Sequence, residues 1–559
     1  MVLAYIGAAL ATVLPLALYM AVGLSKKSKS QTVGEYFIYG QKVSVQDYAN
    51  TSVGYALQMA AMFLFAYWGV LYGLGALWVP LFWGLGFLLL YLLLPKFMRY
   101  HEQGTAKTMH QYLAQCYGGG RVLQSTAAIA TIMGLWGTMM AEIDYVVQVY
   151  SPIFTNPWAV YFSGAAFLVF GVLYIIINGY KAEVHTERIQ VPLAYLGLIA
   201  VLILVLPAVW RHGGEKPYTI IFYLLLLTFT IIFVAKLLQG WSWRHPLRDK
   251  QILIPIVAAV GILILDHWLR AQPANLPAGA QPTVLDKPIG EQLYAQGWFA
   301  LLSLFVANFL WMPVDLSTWQ RVASVEGEGS EVLRRLRRGT LRVMLESPAT
   351  WLLGVCLGLV INGGGFIPAG TDASEGLAKF SAALFDASAA PHLGSAALWL
   401  YPLFVMACIS VMLSTVDSLI SAIAFTAYRD LPPYIESDNL RPARLWTLGI
   451  MLAGLVVYPL LRLGMGVNLP TFLYASYSAQ LSLIVIVVFA LTGARLSKRS
   501  AIGSLVGGLL ATAVTFVLAV RIPASPEIAV LPPIFAVCGS FVGYILAYRE
   551  EQPVGTDGK

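Results

Sequence analysis

Charged residues are scarce in this chain. Asp, Glu, Lys and Arg make up only 11% of its 559 residues, whereas soluble proteins contain about 25%. Hydrophobic residues make up 58%, and the mean hydropathy is +0.72. This composition excludes a soluble domain of useful size and makes lipid the expected solvent of most of the chain.

Cysteine, histidine and enzyme signatures are also sparse. The four cysteines form no CxxC pair and no metal-ligand spacing, which argues against a disulfide framework or a metal centre. The motifs HExxH and GxSxG and a phosphate-binding glycine loop are absent, and the seven histidines form no pair at helical spacing within an apolar run. We therefore predict that the chain is not an enzyme.

Long apolar runs are what the sequence does contain. Each has roughly 20 residues, enough to cross a hydrocarbon core of about 30 Å as a helix. Backbone amides must be satisfied within lipid and alternating barrel strands are absent, so the runs predict an all-α polytopic membrane protein. About fifteen transmembrane helices are predicted. They lie at 2–24, 46–72, 75–96, 122–150, 157–179, 188–210, 218–238, 251–270, 296–317, 339–362, 398–428, 445–461, 468–492, 502–520 and 528–548.

Basic residues occupy every second loop between these spans. The largest cluster, after the ninth span, consists of Arg334, Arg335, Arg337 and Arg338. Because basic loops remain in the cytoplasm, we expect an outside N-terminus and a cytoplasmic C-terminus in the plasma (cell inner) membrane. The net charge of +7 follows from these loops and gives no reason to expect a nucleic-acid partner. Oligomeric state has no signature in the sequence.

Two spans have features of interrupted helices. The span 46–72 begins with a polar stretch, Asp47 to Gln58, that contains Gly54. The ninth span contains Pro313, which removes a helix hydrogen bond. Broken helices line cavities in transporters, but polar groups satisfied by helix packing and an ordinary proline kink explain the same patterns.

The eleventh span presents a polar stripe. Ser414, Asp417, Ser418 and Ser421 fall at i, i+3, i+4 and i+7, so they share one helix face. Hydroxyl and carboxylate oxygens suit a hard cation. Serines in membrane helices also serve packing, but an aspartate at mid-bilayer costs about 2.5–3.5 kcal/mol and is usually functional. The stripe therefore favours a cation site.

Other acidic residues have two readings. Glu187 and Asp315 lie near span ends beside Arg188 and Arg321, which favours solvated loop-end ion pairs. Glu142 lies deeper and is expected either to meet a cationic part of a solute or to line an aqueous vestibule.

Three segments resemble the sodium/solute symporter family, which includes proline, pantothenate, sugar, choline-like and sialic acid importers. The segment 34–40, GEYFIYG, resembles the family's D-Y-F-x-A-G-R entry to the first core helix. The segment 178–190 resembles its G-G-x-x-A-V-x-x-T-D-x-x-Q motif, with Glu187 in place of Asp. Ser414-Thr-Val-Asp-Ser418 resembles its S-T-x-x-S motif.

The resemblance implies a leucine-transporter-type five-plus-five inverted-repeat core with extra helices. The implied divisions are an extra N-terminal helix at 1–24, repeats at 46–210 and 296–492, an inserted helix pair at 218–270, and two further helices at 502–548. The inserted pair departs from the usual family plan.

The resemblance also implies ion sites. The family's sodium site maps onto the carbonyls of Gly54, Leu57 and Val411 and the hydroxyls of Ser414 and Thr415. A second cation or proton site maps onto Glu187, Asp417 and Ser418.

The implied function is sodium-coupled symport of a small organic solute by alternating access. The implied solute pocket consists of Gln58, Ala61, Gly137, Glu142, Asn308, Trp311 and Phe472. Ala61 and Gly137 stand where sugar-transporting relatives have amides, so an amino acid, amine or carboxylate is favoured over a sugar. A proton-coupled transporter and a solute-sensing membrane module remain alternatives.

Overall fold

The structure is a computed structural model, and its described residues are almost entirely α-helical. It describes residues 2–25, 32–102, 108–154, 156–238, 250–271, 284–367, 375–386, 397–435, 439–460, 469–493, 497–522, 528 and 530–548. The helices, numbered in chain order, are α1 (Val2–Ser25), α2 (Val33–Ile38), α3 (Val45–Ala56), α4 (Met59–Tyr72), α5 (Trp78–His101), α6 (Met109–Cys116), α7 (Gly120–Tyr150), α8 (Pro157–Asn178), α9 (Tyr180–Gly213), α10 (Glu215–Leu238), α11 (Lys250–Arg270), α12 (Ile289–Leu293), α13 (Trp298–Phe309), α14 (Trp311–Val314), α15 (Leu316–Ser324), α16 (Gly329–Gly363), α17 (Gly376–Phe385), α18 (Ala397–Asp430), α19 (Leu440–Pro459), α20 (Leu469–Leu481), α21 (Ile484–Thr492), α22 (Lys498–Arg521) and α23 (Pro532–Ala547).

The predicted fold class is confirmed. Every predicted span coincides with a helix or with an interrupted helix, and among the described residues ten helical segments are long and apolar enough to cross a bilayer. Two details of the prediction are wrong. The arginine cluster 334–338 lies within α16 and not in a loop, because α16 begins at Gly329. The predicted loop after the tenth span contains the short apolar helix α17.

Helix α18 forms the centre of the bundle. In its apolar stretch 89% of the residues are buried, and it packs against α1, α7 and α9. Its hydroxyl groups also form hydrogen bonds with neighbouring helices. The Oγ of Ser410, for example, lies 2.7 Å from the hydroxyl of Tyr19 on α1. The polar stripe of α18 therefore faces protein and not lipid.

Both predicted helix interruptions are present. The first broken helix consists of α3 and α4, with Leu57 and Gln58 between them. The second consists of α13, α14 and α15, with Leu310 and Asp315 at the two breaks. A third interruption, between α20 and α21 near Ser482, has no proline or glycine at the break and was not predicted.

One end of the bundle carries Arg99 in the last turn of α5 and the arginine cluster 334–338 in the first turns of α16, and is called the basic side below. Here Val43 pairs with the chain that follows α15: its N–H donates to the Ser324 carbonyl at 3.0 Å, and its own carbonyl accepts from Glu326 N at 3.0 Å. His101 Nε2 lies 3.1 Å from the neighbouring Val325 carbonyl. The Val43 bonds join the start of the first broken helix to the end of the second on the basic side.

The predicted inserted pair, α10 and α11, is tied to the core by buried charges; residues 239–249 between its helices lie outside the described residues. Lys236 of α10, only 6% exposed, has its Nζ 3.1 Å from Glu346 Oε1 of α16. Arg342 donates to the second oxygen of Glu346 at 2.6 Å and to Asn50 Oδ1 of α3 at 2.8 Å. This chain of bonds links the inserted pair to the first half of the first broken helix.

Replacing Lys236 by Met should therefore destabilise the protein. Removing one partner of a buried ion pair costs about 3 kcal/mol or more; we expect a clear fall in the unfolding temperature in detergent. Lys216→Met on the same helix is the matched control, because Lys216 is exposed and donates to the Asp286 carbonyl at 3.0 Å. Equal unfolding temperatures for the two variants would contradict the role of this ion pair.

Candidate functional site

The break between α3 and α4 has local causes. The hydroxyls of Thr51 and Ser52 donate back to the Tyr48 carbonyl at 3.2 and 2.7 Å, and such bonds compete with helix continuation. Gln58 is in an extended conformation with φ −64° and ψ 132°. In lipid an interruption is tolerated only where the freed backbone groups find protein partners, so the break must lie against polar neighbours.

Helix α18 supplies one of those neighbours. Ser414 Oγ donates to the Gly54 carbonyl at 2.8 Å, and the same carbonyl accepts the Leu57 N–H at 3.1 Å. Thr415 Oγ1 donates to the Val411 carbonyl at 3.4 Å. Both hydroxyl side chains are fully buried. The structure thus brings the predicted sodium ligands Gly54 and Ser414 into direct contact.

An acidic cluster adjoins this contact. It consists of Glu183 and Glu187 on α9 and Asp417 on α18, with one oxygen of each within 4.8 Å of the others. All three side chains are fully buried. Neither oxygen of Glu187 has a hydrogen-bond partner among the described residues. Buried carboxyl oxygens without hydrogen-bond partners are rare in folded proteins, and oxygen ligands of this kind suit a hard cation or a proton.

Serine and arginine complete the cluster. Ser418 Oγ donates to Glu183 Oε1 at 2.6 Å and accepts from Arg321 Nη2 at 2.8 Å. The Arg321 guanidinium also lies 3.5 Å from Glu183 Oε1. Asp417 accepts from the Tyr174 hydroxyl at 2.9 Å. The cluster therefore contains three carboxyl groups and one guanidinium group.

The prediction that Glu187 and Asp315 form solvated ion pairs is wrong. Both side chains are fully buried. Arg188 instead forms two bonds of 2.8 Å to Asp47, and Arg321 turns into the acidic cluster. The reason is helix length: α9 starts at Tyr180, about two turns before the predicted span, so Glu187 lies inside the bundle.

Asp315 caps the last part of the second broken helix. It accepts Thr318 N at 2.9 Å and Thr318 Oγ1 at 2.8 Å, which satisfies donors that the first turn of α15 leaves free. It also accepts the Tyr55 hydroxyl of α3 at 3.0 Å. Asp315 thus joins the two broken helices.

A cavity lies between the two breaks. It is lined by Ala61, Leu64, Phe65, Val79, Trp83, Ala307, Asn308, Trp311, Trp351, Tyr474 and Tyr477. Its volume is about 20 Å³, room for about one water molecule. Three predicted pocket residues, Ala61, Asn308 and Trp311, line it.

The other predicted pocket residues lie around this cavity. Gln58 Oε1 accepts the hydroxyl of Tyr477, a lining residue, at 3.1 Å. Gly137 lies against the side chains of Ser476 and Phe472. Glu142, fully buried, is not among the described lining residues. Its carboxylate accepts Met59 N at 3.1 Å and Ala60 N at 3.0 Å, so it caps the N-terminus of α4.

A buried hydrogen-bond relay centred on His110 was not predicted from the spacing of the histidines. His110 Nδ1 lies 2.7 Å from Asp430 Oδ2, and its Nε2 lies 2.9 Å from Thr131 Oγ1. A hydroxyl, imidazole and carboxylate in this order can serve catalysis, but all three side chains are completely buried. Asp430 also accepts from Thr108 at 2.7 Å and from Gln124 at 3.0 Å. The relay ties α6 and α7 to the end of α18.

Several residues at the site were missed from the sequence. Glu183 precedes Glu187 by four residues, so helical spacing already placed the two on one face. Trp83, Trp351, Tyr474 and Tyr477 line the cavity, but aromatic residues in apolar runs give no sign of which ones face a cavity.

Gly54→Ala should destabilise the protein, because a Cβ at this position would collide with the carboxylate of Glu187. Overpacking of this kind costs about 1–3 kcal/mol. Glu187→Ala should relieve it, so the double variant should be more stable than additivity predicts. Thermal unfolding in detergent without sodium measures both.

Gly261→Ala on α11 is the matched control for this pair. A Cβ at Gly261 meets nothing within 4 Å, so this variant should unfold at the wild-type temperature or slightly above it. Strictly additive effects of Gly54→Ala and Glu187→Ala would contradict the packing of Glu187 on Gly54.

Comparisons with known proteins agree with this architecture. No protein-family model matches the chain, and no curated protein sequence is significantly similar to it. Among solved structures, a Na⁺-coupled sialic acid symporter, described in a substrate-bound outward-open state with a novel Na⁺ site, is similar to it with a TM-score of 0.64. The identity is 13%, and the match covers 98% of each chain. The chain is an integral multi-pass membrane protein with the leucine-transporter-type fold of that symporter.

Proposed function

We propose that this protein is a sodium-coupled symporter of the sodium/solute symporter family, which imports a small organic solute by alternating access. The observation that carries the proposal is the contact between Ser414 Oγ and the Gly54 carbonyl. This contact joins the continuous helix α18 to the interrupted helix α3–α4 through two oxygen atoms that are buried within the protein. The fold shared with a Na⁺-coupled symporter supports the same function.

The proposed sodium ligands are neutral oxygens, namely the carbonyls of Gly54, Leu57 and Val411 and the hydroxyls of Ser414 and Thr415. Oxygen ligands suit a hard cation, and a monovalent ion needs no carboxylate in its shell. In this mechanism sodium is bound by the Ser414 hydroxyl oxygen and the Gly54 carbonyl oxygen, and this coordination replaces their hydrogen bond as the link between α18 and α3. The ion would then hold the first broken helix in the form that binds solute, with a coupling free energy of about 1–3 kcal/mol.

The proposed transport cycle uses the two ends of the bundle in turn. We assign the basic side to the cytoplasm, with the N-terminus outside. On that side the Val43 pairing and the bonds between Arg188 and Asp47 would have to open for release. The proposed moving parts are the repeats 46–210 and 296–492, and the segments 1–24, 218–270 and 502–548 are accessory.

Removing both hydroxyls, as Ser414→Ala with Thr415→Ala, should weaken the apparent sodium affinity at least about tenfold, since each bond to an ion is worth about 1.5–3 kcal/mol. Sodium-dependent thermal stabilisation and sodium-driven uptake into liposomes measure it. Ser410→Ala is the matched control, because this buried serine lies one turn earlier on α18 and contacts Tyr19.

Two outcomes of that experiment would reject the proposal. Unchanged sodium dependence in the double variant would refute the ion site. Solute binding without uptake by the wild-type protein would instead support the solute-sensing alternative.

The acidic cluster favours one second candidate, a proton-coupled transporter. Glu187, Asp417 and Ser418 are the proposed second cation or proton site, and Glu183 joins them. If all groups were ionised, three negative charges would face one positive charge in a buried place. Burial disfavours such an excess of charge, so a bound proton or cation is expected there.

Glu187→Gln separates proton from sodium coupling. An amide cannot carry the proton, so uptake driven by an inward pH gradient without sodium should be lost in this variant and kept in the Ser414→Ala, Thr415→Ala variant. Glu291→Gln, at an exposed carboxyl group of α12, should behave as wild type. Absence of pH-driven uptake in the wild-type protein would reject the proton-coupled candidate.

A further inference from the structure

We infer that the transported solute is a small organic cation, of the substituted-ammonium class, and that carboxylates are excluded. This inference rests on the proposed function and specifies the ligand of the cavity between the two helix breaks. At about 20 Å³ the cavity has to widen during alternating access before it admits such an ion. Three features of that cavity carry it: aromatic rings, the lack of a basic group among its described lining residues, and a helix N-terminus already occupied by Glu142.

Aromatic rings dominate the cavity wall. Six of the eleven lining residues are aromatic: Phe65, Trp83, Trp311, Trp351, Tyr474 and Tyr477. They come from four helices, α4, α5, α16 and α20, and from α14 at the second break. Aromatic faces attract cations, most strongly where water is excluded, and cages of such rings recognise substituted ammonium groups.

The polar groups of these rings are largely in use. Trp83 Nε1 donates to Ser347 Oγ at 2.6 Å, and Trp351 Nε1 donates to the Ala56 carbonyl at 2.6 Å. The Tyr477 hydroxyl donates to Gln58. What the wall offers a solute is therefore mainly π-surface, with few free donors for an anion.

No lysine, arginine or histidine is present among the described residues that line the cavity. Asn308, the one amide among the described lining residues, donates through its Nδ2 to the Leu304 carbonyl at 2.7 Å. A carboxylate entering this cavity would lose its water without gaining a positive partner, and burial of an unpaired charge is costly.

The N-terminus of α4 would be the natural place for an anion. In transporters with broken helices, the N-terminus of the second half-helix points at anionic groups of the solute. Here Met59 N and Ala60 N donate to the Glu142 carboxylate, and Ala61, two residues into the same turn from Met59, lines the cavity. The protein's own carboxyl group thus occupies the position that a solute carboxylate would take, and leaves no free N–H groups at Met59 and Ala60 for an anionic solute.

Choline and 3,3-dimethyl-1-butanol provide a matched pair of probes. They have almost the same shape, but only choline carries the positive charge. With purified full-length protein in sodium, choline should bind at least about tenfold more tightly than the alcohol, measured by calorimetry or thermal shift. Proline and sialic acid, which carry carboxylates, should bind more weakly than choline.

Trp311→Leu tests the aromatic wall. It should lower choline affinity at least about tenfold while changing binding of the neutral alcohol little, whereas Trp311→Phe, which keeps a ring, should retain most of the preference. Trp399→Leu is the control, because Trp399 is 72% exposed. An equal loss for both probes would show a packing effect and overturn the inference.

The remaining outcomes are also decisive. Equal binding of choline and the alcohol, tighter binding of proline or sialic acid, or no choline binding at millimolar concentration would each overturn the cationic solute. Sodium-dependent stabilisation that is lost in the Ser414→Ala, Thr415→Ala variant would leave the symporter proposal standing in each of these cases. Absence of any sodium effect would instead refute the symporter itself.

Discussion

The hydrogen bond from Ser414 to the Gly54 carbonyl is the interaction on which the site depends. An interrupted helix in a membrane leaves backbone groups without helical partners, and lipid cannot satisfy them. Helix α18 provides the partner, because it is the most enclosed of the spans and carries its hydroxyls on the face that passes the break. The same requirement explains why the first broken helix is surrounded by protein.

Carboxyl groups accept hydrogen bonds from the free backbone N–H groups at the points where the interrupted helices resume. Glu142 reaches from α7 to the start of α4, and Asp315 caps α15 from within its own chain segment. The free N–H groups of α4 are thus capped by a residue of another helix, whereas those of α15 are capped by the residue that directly precedes it. Asp315 also has a second contact, since it accepts the hydroxyl of Tyr55 from the other broken helix.

The sequence predicted the helices well because hydropathy alone determines which segments lie in lipid. Pro313 and the polar run ending at Gln58 also located two interruptions, because each weakens the helix locally. The fate of Glu187 and Asp315 was not predictable in the same way. Whether an acid near a span end meets water depends on how far its helix extends, and α9 extends beyond its apolar stretch. The third interruption, near Ser482, had no local signal.

The cavity was predicted only in part, because the sequence does not show which side chains of a helix point toward it. Ala61, Asn308 and Trp311 lie at the wall because the helix breaks themselves fix their positions. Gly137 lies against the side chains of Phe472 and Ser476 beside the cavity, and only tertiary packing determines which of these predicted residues reach its wall. The aromatic wall was hidden for the same reason, since tryptophan and tyrosine are common in apolar spans wherever they point.

The close approach of Gly54 to Glu187 has a consequence for the history of this protein. The two positions share one small volume, so neither can enlarge unless the other shrinks. A shorter acid at 187 would make room for a methyl group at 54. In an alignment of homologous chains, these two columns should therefore vary together, although they lie on different helices and more than a hundred residues apart.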